Sequence, residues 1–149
     1  MPGVRVFLDA NIILYLHDRR EAAKGGRAVA WLTAAAQARS ACTNLQVLNE
    51  VASVLLRKKW YATPAVVHRI VDDLAAFGSE PVTMIEVEAA RLIHDRHGYS
   101  WWDSLLLASA LRLGCSHFLS EDLQDGQVIA GLTIVDPFAH SPGQILPSY

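Results

Sequence analysis

Only two of the 149 residues are cysteines. Cys42 and Cys115 have no metal-type spacing, and both lie in apolar runs, so they read as small buried hydrophobes of a reducing compartment. Zinc and disulfide frameworks are thereby excluded. No stretch approaches the roughly 18 apolar residues of a membrane span. Met1-Pro2-Gly3 leads into an apolar run containing Arg5, without the pattern of a secretory signal. The expected location is the cytoplasm, with no membrane partner. An excess of one charge is missing too: 13 Lys+Arg stand against 15 Asp+Glu, with a net charge of −2. This argues against a protein that holds nucleic acid by bulk positive charge, while leaving room for a local basic face. Internal repeats, low-complexity tracts and long linkers are also lacking.

What is present is a core. Hydrophobic residues make up 52% of the chain, with 9 Gly and 6 Pro, as in one ordinary globular domain. A domain of this size buries about two thirds of its unfolded surface and needs no staple. Residues 1–137 read as that domain. Residues 138–149, with Pro142, Gly143 and Pro147, read as a tail of irregular backbone. Val4 to Leu8 suits a short buried strand. After a loop around Gly25-Gly26, Arg27 to Ala38 reads as a helix with Val29, Trp31 and Leu32 on its core face. Ser40 to Cys42 is a brief extended segment. Thr43 opens a capping-box pattern before a helix whose stripe is Val47, Leu48, Val51, Val54 and Leu55.

Thr63-Pro64 starts a helix running to about Phe77-Gly78. Pro81-Val82 reads as a short strand. Thr83 to Glu86 is a second capping box, and the helix after it should stop at His97-Gly98. Ser100 to Leu113 is apolar almost all round and belongs in the centre of the fold. His117 to Leu119 and Leu132 to Val135 are two further strands, joined by a loop with Gly126 and Gly131. The order β-α-α-β-α-α-β-α-α-β-β predicts an α/β domain with a mainly parallel sheet covered by helices. Polar sites in such folds gather at the carboxyl ends of the strands.

Four carboxylates stand where solvent is not expected. Asp9 ends the first strand, Glu50 borders the stripe of its helix, Asp103 lies within Trp101-Trp102-Asp103-Ser104-Leu105, and Asp122 follows Phe118-Leu119-Ser120. Acids rarely occupy apolar settings without partners. The cations Arg19-Arg20, Lys24, Arg27 and Arg57-Lys58-Lys59 lie outside these segments, so internal ion pairs are a weak explanation. If the four meet at one edge of the sheet, they form a site for a hard cation, Mg²⁺ or Mn²⁺, and metal-assisted phosphodiester hydrolysis is the chemistry reached. Each also has a structural reading. Asp9 can cap the helix after it, Asp103 can complete a box begun by Ser100, and Asp122 can belong to a turn with Ser120. Glu50 has no such alternative, because a mid-helix acid gains no cap energy.

The pieces Phe7-Leu8-Asp9-Ala10-Asn11, Asn49-Glu50-Val51, Trp102-Asp103-Ser104-Leu105 and Leu119-Ser120-Glu121-Asp122 resemble, in order and spacing, the PIN-domain nucleases. The resemblance is particularly to the VapC-like toxins of bacterial toxin–antitoxin pairs. The resemblance implies a three-layer α/β/α domain with Asp9, Glu50, Asp103 and Asp122 around one or two Mg²⁺ or Mn²⁺ ions. It implies that Asn11 and Ser120 hold the carboxylates or a metal-bound water. It also implies an RNA substrate cut endonucleolytically, a homodimer, and a small antitoxin laid across the groove. Ser104 stands where alanine is common in the family. Glu121 competes with Asp122 for the fourth position.

Arg20, Lys24 and Arg27 would share one face of a helix and form a phosphate track if residues 20–27 are helical, although a solvated face explains each singly. Arg57-Lys58-Lys59 suits a helix C-terminus equally well. His94 and His97 lie far in sequence from the four acids, and no catalytic histidine is expected. Asp125 and Asp136 read as loop and turn residues. Two other readings remain. One is a binding module whose acidic cluster is only structural. The other is a phosphatase using Asp9 as nucleophile, against which Asn11 stands where a second Asp would be wanted.

Overall fold

The computed structural model describes residues 3–147. Five strands form one sheet: β1 (Val6–Leu8), β2 (Ala41–Cys42), β3 (His117–Leu119), β4 (Val128–Ile129) and β5 (Leu132–Val135), in the order β2-β1-β3-β5-β4. β2, β1, β3 and β5 run parallel, and only the edge pair β4–β5 is antiparallel. Val6, Phe7 and Leu8 are all fully buried. Because successive side chains point to opposite faces, both faces of β1 are covered, as a parallel sheet between helices requires. Phe7 and Phe118 stack at 5.2 Å across the β1–β3 pair.

Six helices surround the sheet: α1 (Ala10–Tyr15), α2 (Ala22–Gln37), α3 (Leu45–Lys58), α4 (Pro64–Leu74), α5 (Met84–His97) and α6 (Trp101–Arg112). Local chemistry sets their starts. Asn44, not the expected Thr43, caps α3 and accepts the Val47 N–H at 3.0 Å, because the Thr43 hydroxyl is spent on the Leu8 carbonyl; Ser100 accepts the Asp103 N–H at 3.1 Å. Thr83 and Glu86 form a reciprocal capping box, and Gly98 at φ +71° closes α5. Residues Ser104 to Ala110 of α6 are all buried, so the middle of the helix has no wet face, while Trp102 in its first turn and Arg112 at its end reach solvent. Among the described residues no helix is long and apolar enough to cross a membrane.

Four further sequence expectations are corrected. Gly25-Gly26 is not a loop: α2 begins at Ala22 and runs through both glycines. A Cβ at Gly25 would lie 3.0 Å from the Tyr15 carbonyl oxygen, so the glycine permits a close approach between α2 and the end of α1. Val29 is not on the core face but 53% exposed, whereas Trp31 is fully buried. Pro81-Val82 is not a strand. There the backbone meets the end of β2 through isolated bonds, Thr43 N–H to the Phe77 carbonyl and Leu45 N–H to the Glu80 carbonyl, at 3.2 and 3.0 Å. The expected loop before β5 contains β4, joined to it by Ala130 and Gly131 with φ of +50° and +91°. A two-residue hairpin needs such left-handed backbone.

The segment after β5 seats on α2. Trp31 Nε1 donates to the Pro137 and His140 carbonyls at 2.8 and 3.1 Å, Pro142–Gln144 makes a 3₁₀ turn, and Leu146 is buried. Ser148 and Tyr149 of the expected tail lie outside the described residues.

Candidate active site

Parallel order places the carboxyl ends of β1, β2 and β3 on one edge, and polar residues leave from each. Leu8 pairs with Leu119, so Asp9 and Ser120 emerge side by side. Thr43, following β2, donates its hydroxyl to the Leu8 carbonyl at 3.1 Å. α3 and α6 contribute Glu50 and Asp103 from the turns near their N-termini.

Asp9 is the N-cap of α1, and its Oδ1 accepts the Ala10 N–H at 2.6 Å. The structural reading of Asp9 is thus realised, yet it does not exhaust the residue. Burial pushes its carboxyl up to about 7, opposed by the Ala10 N–H and reinforced by the negative charges of Glu50, Asp103 and Asp122. The four expected acids therefore lie within electrostatic reach of one point. The Glu50 carboxyl is also raised, by burial and by Asp103, although the Gln46 amide donates to it at 3.4 Å and opposes the shift. Asp103 is held through its N–H by Ser100, and no group among the described residues donates to its carboxylate.

Asp122 and Glu121 are adjacent in sequence but go to different places. Asn11 Nδ2 donates to Asp122 Oδ2 at 2.8 Å, and Asp122 N–H donates to Ser120 Oγ at 3.2 Å. Asn11 and Ser120 both hold Asp122. Glu121 is instead taken by Tyr15, whose hydroxyl donates to Oε1, and by Lys24, 2.9 Å from Oε2. Its charge is already compensated.

Carboxylate oxygens crowded without cations suit a hard divalent ion, and Asp9, Glu50, Asp103 and Asp122 are the residues that could hold one. Among the described residues no three acidic, histidine or cysteine side chains are yet drawn together tightly enough to grip a single ion. The donor chemistry fits the cation, while closure onto it would need side-chain movement.

The basic track does not form as expected. Arg20 precedes α2, where it ion-pairs with Asp18 at 2.9 Å and lies over the Trp60 ring at 5.6 Å. Lys24 is engaged with Glu121, which leaves Arg27 as the one member of the trio with no described partner. Arg57 and Lys58 occupy the last turn of α3, the helix-end reading. His94 bonds the Tyr99 carbonyl and His97 bonds Gln127, so neither serves the acids. Asp125 accepts from the Asp136 N–H, and Asp136 accepts from the Phe138 N–H, as loop and turn residues.

Sequence reasoning missed the open hollow of about 450 Å³ beside Glu50, lined by Gln46, Asn49, Glu50, Ser53 and Trp102. The helical spacing of Gln46, Asn49, Glu50 and Ser53 on one side of α3 was its only available signal.

The sequence profile of the PIN domain matches residues 6–124. No curated protein sequence matches the chain. Solved structures do. A toxin–antitoxin complex from Klebsiella pneumoniae is similar with a TM-score of 0.61 at 19% identity, over 89% of this chain and 97% of that one. VapC20 of Mycobacterium tuberculosis, a toxin that cleaves the sarcin–ricin loop, is similar with a TM-score of 0.57 at 22% identity, over 76% and 86%. VapBC2 from Rickettsia felis, bound to a DNA fragment of its promoter, gives 0.60 at 12% identity, over 88% and 97%. At such identities the likeness is one of fold. With the family profile covering residues 6–124, most of its length, the chain belongs to the PIN-domain family.

Proposed function

We propose that this protein is a divalent-metal-dependent endoribonuclease, the toxin of a toxin–antitoxin pair, with Mg²⁺ or Mn²⁺ held by Asp9, Glu50, Asp103 and Asp122. The observation that carries the reading is the Asp9 carboxyl, raised to about 7 beside three other acids with no cation paired to it. Carboxyls shifted by burial together with neighbouring like charges cluster at functional sites. The solved relatives support the toxin assignment, since one is a toxin–antitoxin complex and another a toxin that cleaves the sarcin–ricin loop. A small antitoxin and a second copy of the chain are the protein partners in this reading, and the cytoplasm, where RNA is available, is its place of action.

The bound cation would supply neutralisation of phosphodiester charge and activation of the attacking water. The chain supplies placement. Asp9 is fixed by the Ala10 N–H at one oxygen, and the other has no donor among the described residues. Asn11 and Ser120 fix Asp122 from side chain and backbone. Gln46 steadies Glu50, and Ser100 anchors the turn that carries Asp103. Neutral donors on the carboxylates of Asp9, Glu50 and Asp122, and serine acceptors on the backbone N–H groups of Asp103 and Asp122, orient the acids without cancelling their charge.

The test is incubation of the purified chain, freed of partner, with structured and single-stranded RNAs in Mg²⁺, Mn²⁺ or EDTA, with Asp9→Asn as control. Cleavage confined to wild type with metal is the expected result. Absence of both cleavage and calorimetric metal binding would leave the acids structural and the chain a binding module.

A further inference from the structure

Each tryptophan but one has a partner in the fold. Trp31 is buried with its Nε1 on two carbonyls, Trp60 carries the Arg20 guanidinium, and Trp101 meets the His94 ring edge-on at 6.5 Å. Trp102 is 64% exposed and, among the described residues, is the one aromatic among the large apolar side chains left in water. It stands in the first turn of α6, next in sequence to Asp103, and faces Gln46, Asn49, Glu50 and Ser53 across the hollow of about 450 Å³.

The lining selects the occupant. The hollow has an indole face, two primary amides, a hydroxyl and one carboxylate, with no lysine or arginine. A phosphate would meet only the negative charge of Glu50. A nucleobase is flat and neutral, stacks on an indole irrespective of sequence, and presents donors and acceptors that amides can pair with. Asn49 is exposed, and its side chain has no hydrogen-bond partner among the described residues, so it is free to read a base edge. Glu50 lines the hollow and also belongs to the acidic site, so a base lodged there puts its own backbone beside the acids.

We infer that Trp102, with Asn49, forms a stacking subsite for one unpaired nucleobase of the RNA next to the scissile phosphate. The inference rests on the ribonuclease reading and narrows it. A base inside a duplex cannot reach an indole face, so the substrate presents a single strand, loop or bulge at the cut.

The experiment reads stacking and cleavage separately. Single-stranded RNA octamers carrying 2-aminopurine are titrated with protein in EDTA and in Ca²⁺, with RNA integrity checked on gels. Stacking on an aromatic ring quenches this fluorophore. The expected result is quenching by wild type and by Trp102→Phe, with affinity about tenfold weaker for Trp102→Ala and Trp102→Leu. In cleavage assays Trp102→Ala should raise KM by a similar factor with kcat little changed, and Trp102→Phe should restore it. An abasic RNA should cost wild type that same factor and Trp102→Ala almost nothing more. Circular dichroism confirms that each variant is folded.

The outcomes separate the two readings. Cleavage with no Trp102-dependent quenching or KM change overturns the subsite, assigns the hollow to a protein surface and leaves the ribonuclease standing. Trp102-dependent quenching without cleavage keeps a base-stacking site but overturns the ribonuclease and, with it, the place of that site beside a scissile phosphate. Loss of both overturns both.

Discussion

Asp9 and Glu86 are two acids withdrawn from water in opposite chemical circumstances. Glu86 is 5% exposed. Burial alone would raise its carboxyl, but the Thr83 hydroxyl and N–H and the Arg112 guanidinium, 3.0 Å away, hold it below the usual carboxylate range. Asp9 has one backbone donor and three like charges, and its carboxyl is raised to about 7. By exposed surface Glu86 is the more buried of the two and Asp9 only half-buried, so exposure does not account for the opposite directions of their shifts; compensation does. Glu86 closes a capping box and joins α5 to α6, whereas Asp9 faces a charge excess that nothing in the fold cancels.

The largest test of this contrast is Asp9→Asn. Asparagine is a good N-cap, so α1 keeps its start. Cleavage should fall by about a hundredfold or more as the acidic set loses a member. The metal-free fold should gain stability. An Asp raised from 3.8 to about 7 binds more protons folded than unfolded. Its favourable contribution is complete below pH 3.8 and disappears as the pH rises through 7. In EDTA at pH 8, Asp9→Asn should therefore be more stable than wild type by on the order of 2–4 kcal/mol, with the gain vanishing toward pH 4. Urea denaturation at the two pH values reads this, and a destabilised variant at pH 8 would break the contrast.

A sharper version lies within two consecutive residues. The Asp122 carboxylate accepts from the neutral Asn11 amide, and Glu121 is taken by Lys24 and Tyr15. Asp122→Asn should lower cleavage by about tenfold to a hundredfold. Glu121→Gln should leave it within about threefold while loosening the contact of Lys24 with the loop, a part-buried pair with a solvent-exposed lysine and little effect on stability. Parallel rate measurements decide the matter, and a larger effect from Glu121 would reverse the assignment of the fourth acid.

The division between these neighbours was not legible in the sequence, and the reason is physical. Tyr15 and Lys24 lie 106 and 97 residues away from Glu121 along the chain, so no local pattern encodes their choice. What was legible is local: the capping box at Thr83, the glycine stop at Gly98, the buried α6, and the acid at the end of β1. Gly25-Gly26 looked like a loop because a close helix approach is a tertiary demand, met here by the Tyr15 carbonyl. β4 was hidden because Ala130, not an Asn or Gly, takes the first left-handed position of its hairpin. Asp103 could be read as an unhappy acid from its apolar neighbours, but its company of Asp9 and Glu50 depends on a sheet that brings distant segments to one edge. Ser104 was visible as a departure from the family's alanine. The structure adds that its hydroxyl is buried with no partner among the described residues.

On the compensated side, Arg112→Ala should expose what the ion pair does. Glu86 would keep the Thr83 donors and lose its only cation, with the side chain 6% exposed. Removing one partner of a buried pair is costly, but Arg112 is itself 44% exposed and solvent replaces part of its effect. The expected loss is about 1–2 kcal/mol in urea denaturation, with metal-dependent cleavage unchanged. A loss of cleavage without a loss of stability would show that the paired acids are not merely structural.

The smallest effect belongs to an exposed pair, His140 with Asp125, at 2.7 Å. Asp125 is lowered first by the Asp136 N–H and then by His140, and His140 is raised mainly by its bond to Asp125. Raised histidine means that the folded state binds the extra proton more tightly. That contribution is fully present below the ordinary histidine value of 6.5 and is lost as the pH rises through the higher folded value. Lowered aspartate contributes above its ordinary 3.8 and is lost as the pH falls through the depressed value. The pair therefore matters most between these two ordinary values. His140→Gln should lower the Tm of wild type slightly at pH 5–6 and hardly at all at pH 9, and added salt should erase the difference. The Trp31 bond to the His140 carbonyl survives the substitution, so the seat of the C-terminal segment on α2 is retained. A Tm difference that grew toward pH 9 would mean that His140 acts through packing, and that compensation of charge is not what ties this acid to the fold.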